Sequence, residues 1–283
     1  MADQLILTLS CPDRRGIVHA VSGFLLEHGN NIVEARQFED RSTGLFFMRV
    51  QFTADGDAST GAFADAFTPV AAKFGMQFSF HEAGRPVPTA ILVSRQGHCL
   101  NDLLFRWTSG LLPIDIRAIV SNHRDFYQLA ASYNIPFHEI PVTPGTKPRA
   151  EGRLVEILED EGVELVVLAR YMQILSEELC ERLAGRAINI HHSFLPSFKG
   201  ARPYQQAHDR GVKLIGATAH YVTARLDEGP IIEQEVERVD HSMDVTTLAA
   251  IGRDVESVAL ARAVKWHAEH RILLNGAKTV IFR

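Results

Sequence analysis

The chain has little of what marks secreted, membrane-spanning or nucleic-acid-binding proteins. Its three cysteines, Cys11, Cys99 and Cys180, lack the paired spacing of a disulfide framework or a zinc site. No apolar stretch approaches the roughly 18 residues of a membrane span, and the first residues lack the basic start of a signal peptide. A net charge of −5 without Lys/Arg runs indicates no nucleic-acid groove. We therefore expect a cytoplasmic protein that binds neither nucleic acid nor membrane.

The overall composition is that of an ordinary globular protein. Of the 283 residues, 46% are apolar and 22% are charged. This length accommodates one large domain together with a small one.

The first part of the chain alternates strand and helix signals at short spacing. The order of the signals is βαββαβ, which is typical of a ferredoxin-like module. The strands are predicted at residues 4–9, 31–38, 45–52 and 77–81, and the helices at 16–28 and 63–74. We assign residues 1–83 to this module and residues 84–88, which contain two prolines and a glycine, to a linker.

Residues 89–283 follow a different pattern. Short apolar runs at 90–93, 117–120, 165–169 and 187–191 are separated by helical stretches. Continuous apolar runs suit strands that are covered on both faces, so the pattern predicts a Rossmann-like α/β domain with a mainly parallel sheet. Further strands are predicted at 215–222, 231–236 and 278–282, with two helical segments after Asp244.

Polar side chains are concentrated at the end of the strand at 187–191. Because side chains alternate along a strand, Asn189 and His191 share one face, and His192 should point the other way in a structural role. Residues 194–202 are predicted to form the loop that follows. Asp227 lies in a turn between two later strands and could reach the same edge of the sheet.

An amide, an imidazole and a carboxylate suit the transfer of a one-carbon acyl group. Asn189 and a protonated His191 can donate to a developing oxyanion, and Asp227 can accept a proton or hold His191 charged. Spacing alone leaves plainer interpretations open: a satisfied polar pair on the strand, a turn-forming Asp227, and a His220 that is either structural or part of the site. Zinc binding by His191, His192, His220 and Asp227 is the competing idea, but no zinc motif is present and we expect no metal.

Three motifs, at residues 189–196, 220–223 and 226–230, resemble the formyltetrahydrofolate-dependent formyltransferase fold, a family of transferases and deformylases. The resemblance spans residues 88–283, and the three motifs occur in the same order as in the family. It implies that Asn189, His191 and Asp227 are catalytic. It also implies that the folate substrate, rather than a cofactor, occupies a pocket lined by Arg170, Met172, Ile174, Leu175, Val222 and His220. From the residues alone, Met172 and Ile174 would be core residues.

The nature of the formyl acceptor depends on the turn after the first strand of this part. The transferases of the family are expected to carry a Gly-Ser-Asn type turn whose amides hold a phosphate. Here His98 and Cys99 follow Gly97, as in the deformylases. The resemblance therefore implies hydrolysis of 10-formyltetrahydrofolate to tetrahydrofolate and formate, which supplies purine synthesis. Transfer to an unidentified amine, or a non-catalytic amino-acid sensor, are the alternatives.

The N-terminal module resembles an ACT domain at residues 13–18 and 29–32. The resemblance implies that an effector such as methionine or glycine binds near Asp13, Gly16, Asn30 and Asn31, often between paired domains. The alternative is that the module only makes the protein a homo-oligomer.

Overall fold

A computed structural model describes residues 3–54, 59–193 and 203–283 of the chain. These residues form two compact units. The first contains Met1–Arg85 together with Glu269–Arg283, and the second contains Pro86–Ala268.

The first unit contains the predicted βαββαβ order. Its four strands form an antiparallel sheet in the order β2-β3-β1-β4. One face of this sheet and the helices α1 and α2 share a core that is rich in leucine and phenylalanine. The elements are β1 (Asp3–Pro12), α1 (Ile17–Glu27), β2 (Asn31–Asp40), β3 (Leu45–Ala54), α2 (Thr60–Phe74) and β4 (Gln77–Glu82).

The C-terminal segment belongs to this first unit, whereas the sequence assigned it to the second part. It forms a hairpin of β12 (Ile272–Asn275) and β13 (Lys278–Ile281). Arg49 of β3 is 1% exposed, and its guanidinium donates to the backbone carbonyls of Glu269 (3.1 Å) and His270 (3.2 Å). These contacts group the segment with the first unit, and they connect residues that are more than 200 positions apart in the sequence.

The second unit is an α/β domain around a seven-stranded sheet in the order β11-β10-β9-β8-β5-β6-β7. The five strands from β9 to β7 in this order are parallel, and β10 and β11 continue the sheet antiparallel, so the predicted mainly parallel sheet is confirmed. The strands are β5 (Val87–Val93), β6 (Ile114–Ser121), β7 (Phe137–Glu139), β8 (Leu165–Leu168), β9 (Ala187–His191), β10 (Leu214–Tyr221) and β11 (Ile231–Arg238). The helices are α3 (His98–Thr108), α4 (Tyr127–Ser132), α5 (Lys147–Asp160), α6 (Glu177–Arg182), α7 (Pro203–Asp209) and α8 (Val245–Ala268).

Two boundaries of this unit differ from the sequence prediction. The linker is shorter than residues 84–88, because β5 already begins at Val87, whose amide donates to Pro113 O (3.0 Å). Pro88 is compatible with the strand because only its carbonyl is used, as an acceptor for Glu164 N (2.8 Å). After Asp244 there is one continuous helix, α8, rather than two segments.

The sheet order reverses direction between β5 and β8. From β5 the chain adds β6 and β7 on one side, then returns to add β8 and β9 on the other. In open α/β sheets this switch point opens a crevice at the carboxyl ends of the strands, where ligands bind. No helix in the described ranges is long and apolar enough to cross a membrane.

Candidate active site

A cavity of about 260 Å³ lies at the carboxyl ends of β8 and β9. Its walls come from the segment that follows β8, the end of β9, and the loop between β10 and β11. All nine residues that the sequence assigned to catalysis or to the folate pocket line it: Arg170, Met172, Ile174, Leu175, Asn189, His191, His220, Val222 and Asp227.

The predicted catalytic trio meets in this cavity. Asn189 and His191 lie two residues apart on β9, and Asp227 approaches from the β10–β11 loop. His191 Nδ1 is 3.2 Å from Asp227 Oδ2, which fits an N–H donated to the carboxylate. His191 Nε2 is buried and has no hydrogen-bond partner among the described residues. The ring is therefore oriented through one nitrogen, while the other nitrogen is unpaired within the described ranges.

His220 completes the polar group of the site. The antiparallel register of β9 and β10 places it directly opposite Asn189. Its Nδ1 lies 2.9 Å from the Tyr221 carbonyl oxygen and therefore carries the proton, so Nε2 accepts from Asn189 Nδ2 at 3.2 Å. The same Nε2 is 3.7 Å from Asp227 Oδ1. His220 thus belongs to the site and orients the Asn189 amide.

Asp227 is ionised at neutral pH. Burial by itself raises the pKa of Asp227, but the hydrogen bond from His191 and the positive charge of the His191 ring hold it well below its ordinary value. A carboxylate here stabilises a protonated imidazole and can accept a hydrogen bond from water.

The loop that carries Asp227 fits tightly against β10. Tyr221 N donates to Pro230 O at 2.9 Å. A Cβ atom added to Gly229 would lie 1.7 Å from the Tyr221 carbonyl oxygen, so only glycine permits this approach. The backbone of the loop therefore fixes where the Asp227 carboxylate lies.

Two residues of the cavity have an unusual backbone conformation. Asp227 has φ 57° and Arg170 has φ 65°, in the left-handed region that non-glycine residues seldom occupy. Only two other non-glycine residues in the described ranges, Asn134 and His270, have positive φ. Such conformations cluster at functional sites.

The segment after β8 forms the wall opposite the loop. Ser94, at the end of β5, donates its amide to Arg170 O (3.2 Å) and accepts from Met172 N at its hydroxyl (3.0 Å). Met172 and Ile174 are 60% and 62% exposed, so neither is a core residue. Their apolar side chains line the cavity and are accessible to a ligand.

The predicted structural role of His192 requires a correction. His192 faces the cavity with His191, and the two rings stack with centroids 4.8 Å apart. Strand β9 ends at His191, so the alternation of side chains stops before His192. His192 Nδ1 lies 2.9 Å from Arg170 Nη1. The predicted loop at 194–202 lies outside the described residues.

Side chains pack against the turn that follows β5. The His98 ring reaches Glu256 of α8, with Nε2 2.7 Å from Oε2. Phe126 lies so close to Gly97 that a Cβ there would be 2.3 Å from its ring. Cys99 is fully buried, and burial raises the pKa of its thiol, so it is not an activated nucleophile.

Sequence reasoning missed Glu256. A charged residue on the buried face of α8, between Val255 and Ala259, is the signal that could have revealed it. Together with His98 and Cys99 it forms the one group of three potential metal ligands within the described ranges. Arg170 Nε, 3.4 Å from the Glu256 carboxylate, already supplies a positive charge there.

The predicted effector residues all lie in the first unit. Gly16, with φ 96°, precedes α1, while Asn30 and Asn31 follow the end of that helix. An 11-residue helix separates these positions by about 16 Å along its axis. Asn30 is buried and its Nδ2 has no partner in the described part of the chain, whereas Asp13 and Asn31 are exposed. One chain therefore does not bring these residues together.

Comparison with known proteins gives consistent results. Residues 88–264 match the protein family described as formyl transferase. Formyltetrahydrofolate deformylase of Corynebacterium sp. (strain P-1) is 52% identical over 286 residues, covering 100% of both chains. A crystal structure of formyltetrahydrofolate deformylase from Burkholderia mallei covers 99% of this chain and 100% of its own, with 54% identity and a TM-score of 0.95. Glycinamide ribonucleotide transformylase 1 from Symbiobacterium toebii covers 72% of this chain and 97% of its own, with 30% identity and a TM-score of 0.66.

Proposed function

The chain belongs to the formyltetrahydrofolate deformylase family, and on this premise we propose that it hydrolyses 10-formyltetrahydrofolate to tetrahydrofolate and formate. The observation that carries the proposal is the meeting of Asn189, His191 and Asp227 in one cavity, in a chain that deformylases match along its whole length. The transformylase leaves more than a quarter of the chain unmatched.

Each of the three residues has a role in the proposed reaction. Water attacks the formyl carbon, and the developing oxyanion accepts hydrogen bonds from the Asn189 amide and the His191 ring. Asp227 either accepts the proton of the attacking water or holds His191 protonated. The bond between the carbon and N10 then breaks, N10 takes up a proton, and formate leaves. One water is consumed, and one proton is released when the acid ionises.

The geometry supports these roles. The Asn189 amide is oriented by His220 at 3.2 Å, and His191 is oriented by Asp227, also at 3.2 Å. Oriented donors of this kind stabilise an oxyanion because they need no rearrangement as the charge develops. No cofactor enters the proposal, since the folate itself carries the reacting group.

The folate pocket in this proposal is the wall formed by Arg170, Met172, Ile174, Leu175 and Val222. Its exposed apolar side chains offer contact area to a flat ring system, and the buried Arg170 guanidinium offers hydrogen-bond donors.

Water is the proposed acceptor because the turn after β5 is filled. His98 lies against Glu256 and Phe126 lies against Gly97, where a phosphate-binding turn would need small residues and free amides.

Formate release from 10-formyltetrahydrofolate, measured with purified protein and no amine, tests the proposal. We expect turnover without an acceptor. Loss of the formyl group from the folate that depends on glycinamide ribonucleotide and leaves the formyl group on its amine, without formate, would instead identify a transferase, and ligand binding without turnover would identify a sensor. Asp227→Asn should bind folate normally and lose roughly 10² to 10⁴ in kcat. A fully active Asp227→Asn variant would remove this residue from the mechanism.

The N-terminal unit is the proposed regulatory part. We propose that it is an ACT domain and that the chain forms a homo-oligomer through it. The effector-binding residues at the two ends of α1 would then come from different chains, with methionine or glycine as the effector. Sedimentation and turnover with and without these amino acids test both points.

The cellular role completes the proposal. All three cysteines are unpaired and buried, as in proteins of a reducing compartment, which supports a cytoplasmic enzyme. There the formate would supply purine synthesis and balance the one-carbon folate pools.

A further inference from the structure

A buried carboxylate lies next to the cavity without being among its lining residues. Glu256 of α8 is 1% exposed. It accepts hydrogen bonds from His98 Nε2 (2.7 Å) and from the Tyr204 hydroxyl (2.8 Å), and Arg170 Nε lies 3.4 Å away. A buried carboxylate is costly unless it is paired, so these three contacts stabilise a charge at this position.

The carboxylate is ionised. Burial raises the pKa of Glu256, but the hydrogen bond from His98 and the charge of Arg170 outweigh burial and hold it below its ordinary value. Position 252, one turn earlier on α8, must be glycine for this arrangement, since a Cβ there would lie 2.1 Å from the Tyr204 hydroxyl. The site is therefore built around the carboxylate.

Arg170 connects Glu256 to the imidazole pair of the active site. Its Nε donates a hydrogen bond to Gln96 Oε1 (3.1 Å) and forms an ion pair with the Glu256 carboxylate (3.4 Å), and its Nη1 lies 2.9 Å from His192 Nδ1. A guanidinium can only donate hydrogen bonds, so His192 Nδ1 must be the unprotonated nitrogen and the ring proton is on Nε2. The His192 ring then stacks on His191 at a centroid distance of 4.8 Å.

We propose that Glu256 is a positioning residue that, through Arg170, keeps His192 as the neutral ring against the face of His191. The inference rests on the proposed role of His191 in stabilising the oxyanion. A second imidazolium at this distance would repel the positive charge that His191 carries in that role. Glu256 thus acts on His191 through three successive contacts: with Arg170, between Arg170 and His192, and between the two imidazole rings.

The charges around His192 agree with a neutral ring. The pKa of His192 is lowered to about 4, chiefly by burial and then by the positive charges of Arg170 and His191, whereas Glu256 and Asp227 act in the opposite direction. Burial and the two cations dominate, so the ring is uncharged at neutral pH.

Nitrogen NMR of the histidine rings in the wild-type enzyme tests the first part of the proposal. We expect the His192 signals of a neutral ring with Nδ1 unprotonated, down to about pH 5. A proton on Nδ1, or a His192 ring that is charged at about pH 6.5, the ordinary titration point of a histidine, overturns the proposal.

Turnover of three variants tests the second part: Glu256→Gln, Arg170→Gln and the double variant. We expect Glu256→Gln to lose about tenfold or more in kcat, a scale typical of partners that orient an active-site group. Because both residues act through one guanidinium, the double variant should be no slower than Arg170→Gln. Losses that multiply, or an unchanged kcat with only a lower unfolding temperature, would show that Glu256 is merely structural.

A matched control removes an acidic charge from the exposed face of the same helix, Asp254→Asn, and should leave kcat unchanged. If Glu256→Gln does not fold, Tyr204→Phe, which removes one hydrogen bond to the carboxylate, takes its place in the comparison. A loss that persists in the Arg170→Gln background would then count against the proposal. A wild-type enzyme that releases no formate refutes the proposed function, while the ring-nitrogen measurement still decides the state of His192.

Discussion

Gly229 lies where the loop between β10 and β11 approaches the backbone of Tyr221. In Gly229→Ala the new Cβ would lie 1.7 Å from the Tyr221 carbonyl oxygen, whereas real Cβ contacts essentially never fall below 3.0 Å. The difference, about 1.3 Å, is the smallest displacement that relieves the overlap. The obstructing atom belongs to a strand that is paired on both sides, so the loop is the part that moves.

That displacement is large compared with the geometry of the site. Asp227 lies two residues before Gly229, and its carboxylate is 3.2 Å from His191 Nδ1. A shift of about 1.3 Å away from the ring breaks this hydrogen bond. A misplacement of about 1 Å costs on the order of 10² in rate, which corresponds to roughly 2.7 kcal/mol of transition-state stabilisation. We therefore expect Gly229→Ala to lose about 100-fold in kcat.

Formate release by the folded variant measures this loss, with circular dichroism and thermal unfolding as checks on folding. Gly152→Ala on α5 is the matched control, because a Cβ there meets nothing within 4 Å. It should keep wild-type kcat and gain up to roughly 1 kcal/mol in stability, since alanine is favoured over glycine in a helix. A folded Gly229→Ala enzyme with kcat within about twofold of wild type would refute the reasoning, because the loop position would then not control the Asp227–His191 contact.

Three further predictions concern Asn189, Asp227 and Arg49. Asn189→Ala should lose about 10² to 10³ in kcat with little change in KM, because it removes one oxyanion donor; a change confined to KM would assign Asn189 to substrate binding alone. The pKa of Asp227 is lower in the folded protein than its value of 3.8 in the unfolded chain. The ionised carboxylate therefore stabilises the folded state above pH 3.8, and this contribution is lost as the pH falls below 3.8. The unfolding free energies of wild type and Asp227→Asn, measured in urea, should therefore differ more at about pH 7 than at about pH 3, and an equal difference would contradict this. Arg49→Met should cost about 3 kcal/mol in unfolding free energy, because it removes the buried donor to two backbone carbonyls and the nearest of the three arginines beside Glu34. The exposed Arg36→Met should cost little, and equal losses would argue against burial as the cause.

Much of the fold could be predicted because its elements carry local periodicity. The βαββαβ order and the long strands of the second unit follow from apolar alternation and apolar runs. The three-residue strand β7 is too short for either signal, and β12 was not predicted although β8 and β13, which have the same length, were. The place of the C-terminal hairpin depends on Arg49, a contact across more than 200 residues that no local pattern encodes.

The candidate site, like the fold, could be predicted from the sequence only in part. Asn189 and His191 share a face because they are two residues apart on a strand, and the motif order connected them to Asp227. His192 was assigned the wrong direction, because the end of a strand depends on hydrogen bonding to its neighbours rather than on its own residues. Glu256 lies 29 positions beyond Asp227 on a helix, and only the folded chain shows that its carboxylate meets Arg170.

The left-handed backbone at Arg170 and Asp227 has a consequence for engineering this protein. Conformations of this kind cost of order 1 to 3 kcal/mol for a non-glycine residue, a sizeable fraction of the net stability of a typical domain. Glycine at either position would relax the backbone and remove the side chain that the active site uses. Selection for heat resistance alone should therefore favour substitutions at these two positions that stabilise the enzyme and abolish turnover. A useful thermostable variant has to gain its stability elsewhere in the chain.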